Sequence, residues 1–113
     1  MNKGEVWSVN LDLTFGAEIT KTRPCVIVSR DSIGRLPLKI IVPLTHWREE
    51  FQRAAWLISV DPTHANGLTR KSAADTFQVR SIAEIRLVEK IGAVSDATLD
   101  EINQGLLLSL GLD

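Results

Sequence analysis

The stretch Pro24-Cys25-Val26-Ile27-Val28-Ser29 limits what this chain can become more than any other. It is apolar and rich in β-branched residues, with no polar residue at alternating positions. That is the pattern of a strand buried on both faces, so residues 24–29 read as the centre of a sheet. Residues 37–44 (PLKIIVPL) read as a second strand, ended by Pro43. Residues 5–10 alternate loosely, with Val6, Trp7 and Val9 as the apolar members, and read as a third. Residues 56–60, closed by Asp61-Pro62, and residues 86–94, which alternate weakly, complete the set.

The connections are just as informative. Residues 30–36 contain Asp31, Ser32 and Gly34 and read as a turn, and residues 64–68 carry the turn signal Asn66-Gly67. Residues 11–22 show little periodicity and read as a loop of about twice the usual connection length, which points to function. Residues 74–82 fit no single element. The C-terminal segment is a helix: Ser95 or Asp96 caps its start, and Leu99, Ile102, Leu106 and Leu110 form one stripe. Leu107, Leu108 and Leu112 widen the stripe, and Gly111 suits a C-terminal cap. So broad an apolar face fits either its own sheet alone or a second surface such as a dimer interface.

Several short strands followed by one helix predict an α+β fold on a small barrel-like sheet, a single domain over residues 1–113. No stretch is long and apolar enough to span a membrane. The opening MNKGEVWSVN enters a strand-like pattern without a leader segment, so a cytoplasmic location is expected. The lone Cys25 sits inside an apolar run, which fits a reducing compartment and no disulfide framework. No His/Cys cluster has the spacing of a metal site, so no metal is expected. A net charge of −1 does not mark a strongly basic nucleic-acid binder, but a local basic patch is compatible with it.

Three places carry candidate chemistry. Arg23 stands before Pro24, which holds it extended and aims a fork of five donors from the entrance of the core strand. Glu18 lies five residues upstream, where it can work with Arg23 or form an ordinary surface ion pair with it. The second strand runs into Thr45-His46-Trp47, and Thr45 comes near Arg23 if the two strands are neighbours. Residues 75–80 bring Asp75, Phe77, Gln78 and Arg80 together, suited to hydrogen-bonding and stacking with bases or to a solvated edge strand. Trp7 and Trp56 are assigned to the core, and His64 to its turn.

The segments KGEVWSVNLDLTFGAEITKTRPCVIVSRD, IIVPLTHW and GLTRKSAADTFQVRSIAEIRL, with the leucine-rich C-terminal helix, resemble the MazF/PemK (Kid) toxin family in order over nearly the whole chain. The resemblance implies a small SH3-like β-barrel of the CcdB/MazF/Kid type with a C-terminal helix, usually as a homodimer. It implies an endoribonuclease that cuts single-stranded RNA at short sequences without metal or cofactor, leaving a 2′,3′-cyclic phosphate and a 5′-hydroxyl. A cognate antitoxin protein is the implied partner, covering the RNA groove.

By motif the family's catalytic arginine, threonine and loop glutamate fall on Arg23, Thr45 and Glu18. Glu18 then acts as a base or as a holder of Arg23. Phe15, Lys21, His46, Trp47, Asp75, Phe77, Gln78 and Arg80 are the implied RNA-binding set. Lys21, Arg23, Arg48, Arg53, Lys71 and Arg80 are the basic residues available to a groove. One departure stands out: relatives often carry an acidic residue directly before the glutamine, where this chain has Phe77. Two alternatives share the fold class, a CcdB-like gyrase poison that cuts no RNA and an inert small-barrel binding module.

Overall fold

The computed structural model describes residues 1–33 and 36–113. Gly34, part of the predicted turn, lies outside them. Among the described residues seven strands precede one α-helix: β1 (Glu5–Asn10), β2 (Thr22–Ile27), β3 (Leu38–His46), β4 (Leu57–Val60), β5 (Ser72–Asp75), β6 (Arg80–Ala83), β7 (Leu87–Ala93) and α1 (Asp96–Ser109). The strands form an antiparallel sheet in the order β4-β5-β3-β2-β1-β7. β6 pairs with the first half of β3. The fold is α+β as expected. Among the described residues β4 and β7 do not pair, so the sheet stays open where a closed barrel was expected.

The central run behaves as its composition requires. Val26 and Val28 face one cluster, with Val6, Val42, Leu44 and Ile102 of the helix. Cys25 and Ile27 face the other, with Val9, Leu11, Ile41 and Ile82. A strand with a core on each face has no position left for a polar residue. Burying each such side chain is worth about 1.5–3 kcal/mol.

Several boundaries differ from the sequence reading. Pro43 does not end its strand. The register of β6 on β3 stops at Ile41 and that of β5 begins at Leu44, so Pro43 falls in the gap between partners. A missing N–H is tolerated there. β3 therefore runs on to His46 and carries Thr45 within it. The ambiguous segment resolves into β5, a 3₁₀ turn over Thr76–Gln78 and β6. Trp56 is not core: it is 41% exposed just before β4, held by its carbonyl, which accepts from Thr76 N and Thr76 Oγ1. Trp7 packs against the second cluster while its Nε1 donates to Glu5.

α1 is capped by Ser95, whose hydroxyl accepts from the Thr98 N–H, and it ends at Gly111 with φ of 70°. Ile102 anchors it in the core. Gly105 sets how close it comes: a Cβ there would lie 2.8 Å from Thr76 Cγ2 and 3.3 Å from Ile58 Cδ1. Gly→Ala inside a helix normally gains about 1 kcal/mol. Here overpacking of about 1–3 kcal/mol opposes that gain. Thr76 cannot step aside, because its hydroxyl also contacts Ser109 Oγ at 2.9 Å. We expect Gly105→Ala to lower the melting temperature in calorimetry; a rise would mean the helix moves freely. Leu107, Leu108, Leu110 and Leu112 remain exposed in the single chain.

Glu5 ties the N-terminus to the sheet edge. Its Oε1 takes the Trp7 indole N–H at 2.9 Å and the terminal amine at 3.2 Å, and Lys90 Nζ lies 3.3 Å from Oε2. Burial opposes ionisation of Glu5, but the bonds from Trp7, the Asn2 backbone, the terminal amine and Lys90 outweigh it and hold the carboxyl at about 2. The unfolded chain binds this proton at higher pH than the folded one. Glu5 therefore stabilises the fold above the ordinary glutamate range, and the contribution fades as pH falls towards 2. Acid titration should show a shallower loss of stability for Glu5→Gln than for the parent over that interval. Parallel curves would remove Glu5 from the account.

Candidate active site

The site is built where β2 and β3 run side by side. Their register pairs Cys25 with Pro43, and continuing it by two residues sets Arg23 opposite Thr45. Both line one open cleft of about 390 Å³, with Pro24, Leu44, His46, Gly67, Leu68 and Arg70 around them. That is large enough for a nucleotide-sized group. Arg23 and Thr45 are each partly exposed. Arg23 is steadied through Nε, which donates to the Thr20 carbonyl at 3.3 Å. The guanidinium carries four further N–H donors for a ligand.

The far wall of this cleft is the segment between β4 and β5. Asn66 holds it from within: its Oδ1 accepts from Thr63 N and Leu68 N, and its Nδ2 donates to the Asp61 carbonyl. The segment is packed tightly on β7. A Cβ on Gly92 would lie 2.3 Å from the Ala65 carbonyl oxygen, and one on Gly67 would lie 2.4 Å from that of Ile91. The predicted turn is thus a fixed wall rather than a hairpin tip.

A second cleft adjoins the first along β3. It is lined by Glu18, Pro43, Phe77, Gln78 and Arg80, with Leu11 and Ile19. Its other wall is the long loop, which is pinned at both ends. Arg80 Nη1 donates to the Leu11 carbonyl at 3.2 Å. Arg86 Nη1 donates to the carbonyls of Asn10 and Asp12. Asp12 Oδ1 accepts from Lys21 N at 3.0 Å, where Lys21 has φ of 67°. Gln78 closes the loop: its Oε1 accepts from Ile19 N at 2.7 Å, and its Nε2 donates to Asp75 Oδ2 at 3.2 Å. Burial pushes the Asp75 carboxyl up, against the bonds from Phe77 and Gln78. Burial likewise raises the Cys25 thiol to about 12, so it is no nucleophile.

The structure therefore splits the sequence candidates. Arg23, Thr45 and His46 share one cleft, and Glu18, Phe77, Gln78 and Arg80 share the next. Among the described residues no ion pair joins Glu18 to Arg23; Glu18 Oε1 instead accepts from Phe15 N at 2.7 Å. Phe15 is 75% exposed near the loop's tip, and Phe77 is 71% exposed. Trp47 lines neither cleft; Phe51 meets it edge-on and Lys71 Nζ lies 5.0 Å from its ring centre. The sequence reading missed Arg70, which lines the first cleft. The only signal was its place beside Lys71 ahead of a strand, where neighbours point opposite ways. Among the described residues no three His, Cys, Asp or Glu side chains come together as a metal site, and no helix is long and apolar enough to cross a membrane.

The chain as a whole is similar to known proteins. The family described as PemK-like, MazF-like toxin of type II toxin-antitoxin system matches residues 2–110. The endoribonuclease MazF9 of Mycobacterium tuberculosis is 35% identical over 118 residues, covering 99% of this chain and 98% of the relative. The endoribonuclease EndoA of Bacillus subtilis is 28% identical over 119 residues, covering 99% and 96%. Among solved structures, MazF from Deinococcus radiodurans superposes with a TM-score of 0.79 at 19% identity, covering 98% of this chain and 96% of that one. A mycobacterial endoribonuclease in complex with its cognate antitoxin superposes with a TM-score of 0.78 at 20% identity, covering 100% and 97%.

Proposed function

The chain belongs to the PemK-like, MazF-like toxin family of type II toxin-antitoxin systems, and from that premise we propose that it is a toxin endoribonuclease cutting single-stranded RNA without a metal or cofactor. The observation that carries this reading is the cleft shared by Arg23 and Thr45. The ribose 2′-oxygen gives up its proton to a base and attacks the adjacent phosphorus, its bond forms as the bond to the 5′-oxygen breaks, the departing 5′-oxygen takes a proton from water, and the ends are a 2′,3′-cyclic phosphate and a 5′-hydroxyl. The crowded phosphorus gains negative charge on its equatorial oxygens. A guanidinium and a hydroxyl fixed on rigid strands are suited to stabilise that charge.

Arg23 takes the role of clamp on the phosphate oxygens, and Thr45 orients them. The 2′-hydroxyl needs a base. We assign it to Glu18, whose Oε2 takes no hydrogen bond among the described residues and whose cleft adjoins that of Arg23. The RNA then crosses both clefts. Phe15 and Phe77 offer exposed rings for stacking, and Lys21, His46 and Arg80 line its path. Gln78 and Asp75 hold the loop, and Trp47 supports Lys71.

A cognate antitoxin and a second copy of the chain are the partners we assign, acting in the cytoplasm. The exposed leucines of α1 support a dimer. The deciding experiment incubates the purified protein with a long RNA in chelator and maps the ends. Cyclic phosphate and 5′-hydroxyl ends are expected. Intact RNA, or cleavage only on adding Mg²⁺, would falsify the reading.

A further inference from the structure

The first cleft holds a second guanidinium to which the cleavage chemistry gives no task. Arg70 lines it with Arg23, Thr45 and His46. Arg70 Nη1 lies 3.4 Å from His46 Nδ1. A guanidinium has no acceptor, so a hydrogen bond between the two uses the imidazole Nδ1 as its acceptor.

The backbone beneath Arg70 is fixed. Ser72 Oγ donates to the Arg70 carbonyl at 3.2 Å, the Trp47 N–H donates to the Lys71 carbonyl at 3.1 Å, and His46 stands opposite Ser72 in the β3–β5 register. Lys71 is turned onto the Trp47 ring. Of two adjacent cations, one is taken up by an aromatic face and the other is held in the cleft by a histidine. Among the described residues no carboxylate pairs with Arg70.

We propose that Arg70 is a second phosphate-binding residue, gripping an RNA phosphate next to the one held by Arg23, and that His46 is the positioning residue that aims it. This rests on the RNA-cleaving reading above. A phosphate contact on single-stranded RNA contributes about 0.7 to the slope of log affinity against log salt.

The test measures binding of a 2′-O-methyl RNA, which cannot attack its own phosphate, over a range of salt. Steady-state cleavage of the unmodified RNA is measured in parallel. Arg70→Ala should reduce the slope by about 0.7. It should also raise KM about tenfold to a hundredfold, the range of a lost charge-assisted bond, with kcat changed far less. Arg70→Lys should keep the slope. His46→Ala should raise KM by a smaller factor in the Arg70→Ala background than in the parent.

An Arg70→Ala protein with the parent slope and KM overturns the proposal, as does full additivity with His46→Ala for the aiming role. Arg23→Ala separates the two levels. If it cleaves normally, the cleavage reading falls. If it is inactive while Arg70→Ala matches the parent, only the Arg70 assignment falls.

Discussion

Arg23→Ala is expected to leave a folded protein that cleaves RNA about 10²–10³-fold more slowly, the usual loss when one charge-stabilising donor is removed from a transition state. Folding should survive because the side chain is partly exposed and its hydrogen bond to the Thr20 carbonyl is local, three residues away. Arg23→Lys restores the charge but not the planar fork, so it should recover only part of the rate. Thr45→Ala should lose less, since a neutral hydroxyl contributes less to a developing charge. Cleavage by Arg23→Ala at the parent rate, with an unchanged melting curve, would remove the guanidinium from the chemistry.

Gly92→Ala is the second large effect, and it acts through the fold. Removing a glycine from a strand by itself stabilises by about 0.5–1 kcal/mol. The new methyl, however, would stand 2.3 Å from the Ala65 carbonyl oxygen and 2.6 Å from the Asn66 carbonyl carbon. These are backbone atoms. They cannot retreat, because the Ala65 carbonyl accepts from Ala93 N at 2.9 Å and Asn66 is buried, at 3% exposure, with both its Oδ1 and its Nδ2 hydrogen-bonded. The net cost should reach about 3 kcal/mol, the upper end for overpacking. That corresponds to a melting temperature lower by about 10 °C or more. Gly67 and Leu68 belong to the displaced segment and wall the Arg23 cleft, so cleavage should fall even where the protein is still folded. Gly16→Ala is the contrast: nothing lies within 4 Å of a Cβ there, and only its φ of 58° is strained. A Gly92→Ala protein as stable as the parent would show that the wall is adjustable.

These two residues also mark how much could be read in advance. Arg23-Pro24 and the apolar run behind it are local signals that mark the central strand, and the Ser95 cap with its leucine stripe is the local signal that marks the helix. Contacts between distant segments leave no such signature. Nothing near Gly92 announces that it lies against Ala65, and nothing near Gln78 announces its bond to Ile19 across 59 positions. Pro43 reads as a stop in the sequence, yet β3 continues through it, because the change of partner along β3 depends on where β5 and β6 dock. The hydrophobicity of Trp56 points to the core, yet it sits at an outer strand, where the sheet offers little to bury it. Glu18 and Arg23 are close in sequence, but Arg23 bonds the Thr20 carbonyl and Glu18 the Phe15 N–H.

The arginines of this face share one habit. Arg23 bonds the Thr20 carbonyl, Arg80 the Leu11 carbonyl, Arg86 the carbonyls of Asn10 and Asp12, and Arg70 the His46 ring. None of these acceptors is a carboxylate, so each bond fixes a geometry without forming a salt bridge. Carboxylate pairing among the described residues is found instead at Lys39, Arg48, Lys90 and the terminal amine. A chain of net charge −1 can in this way present an attractive mouth to a polyanion while the rest of its surface repels it. Diffusing RNA would be steered to the strand ends before any contact forms, and the capture rate should fall as ions screen the approach.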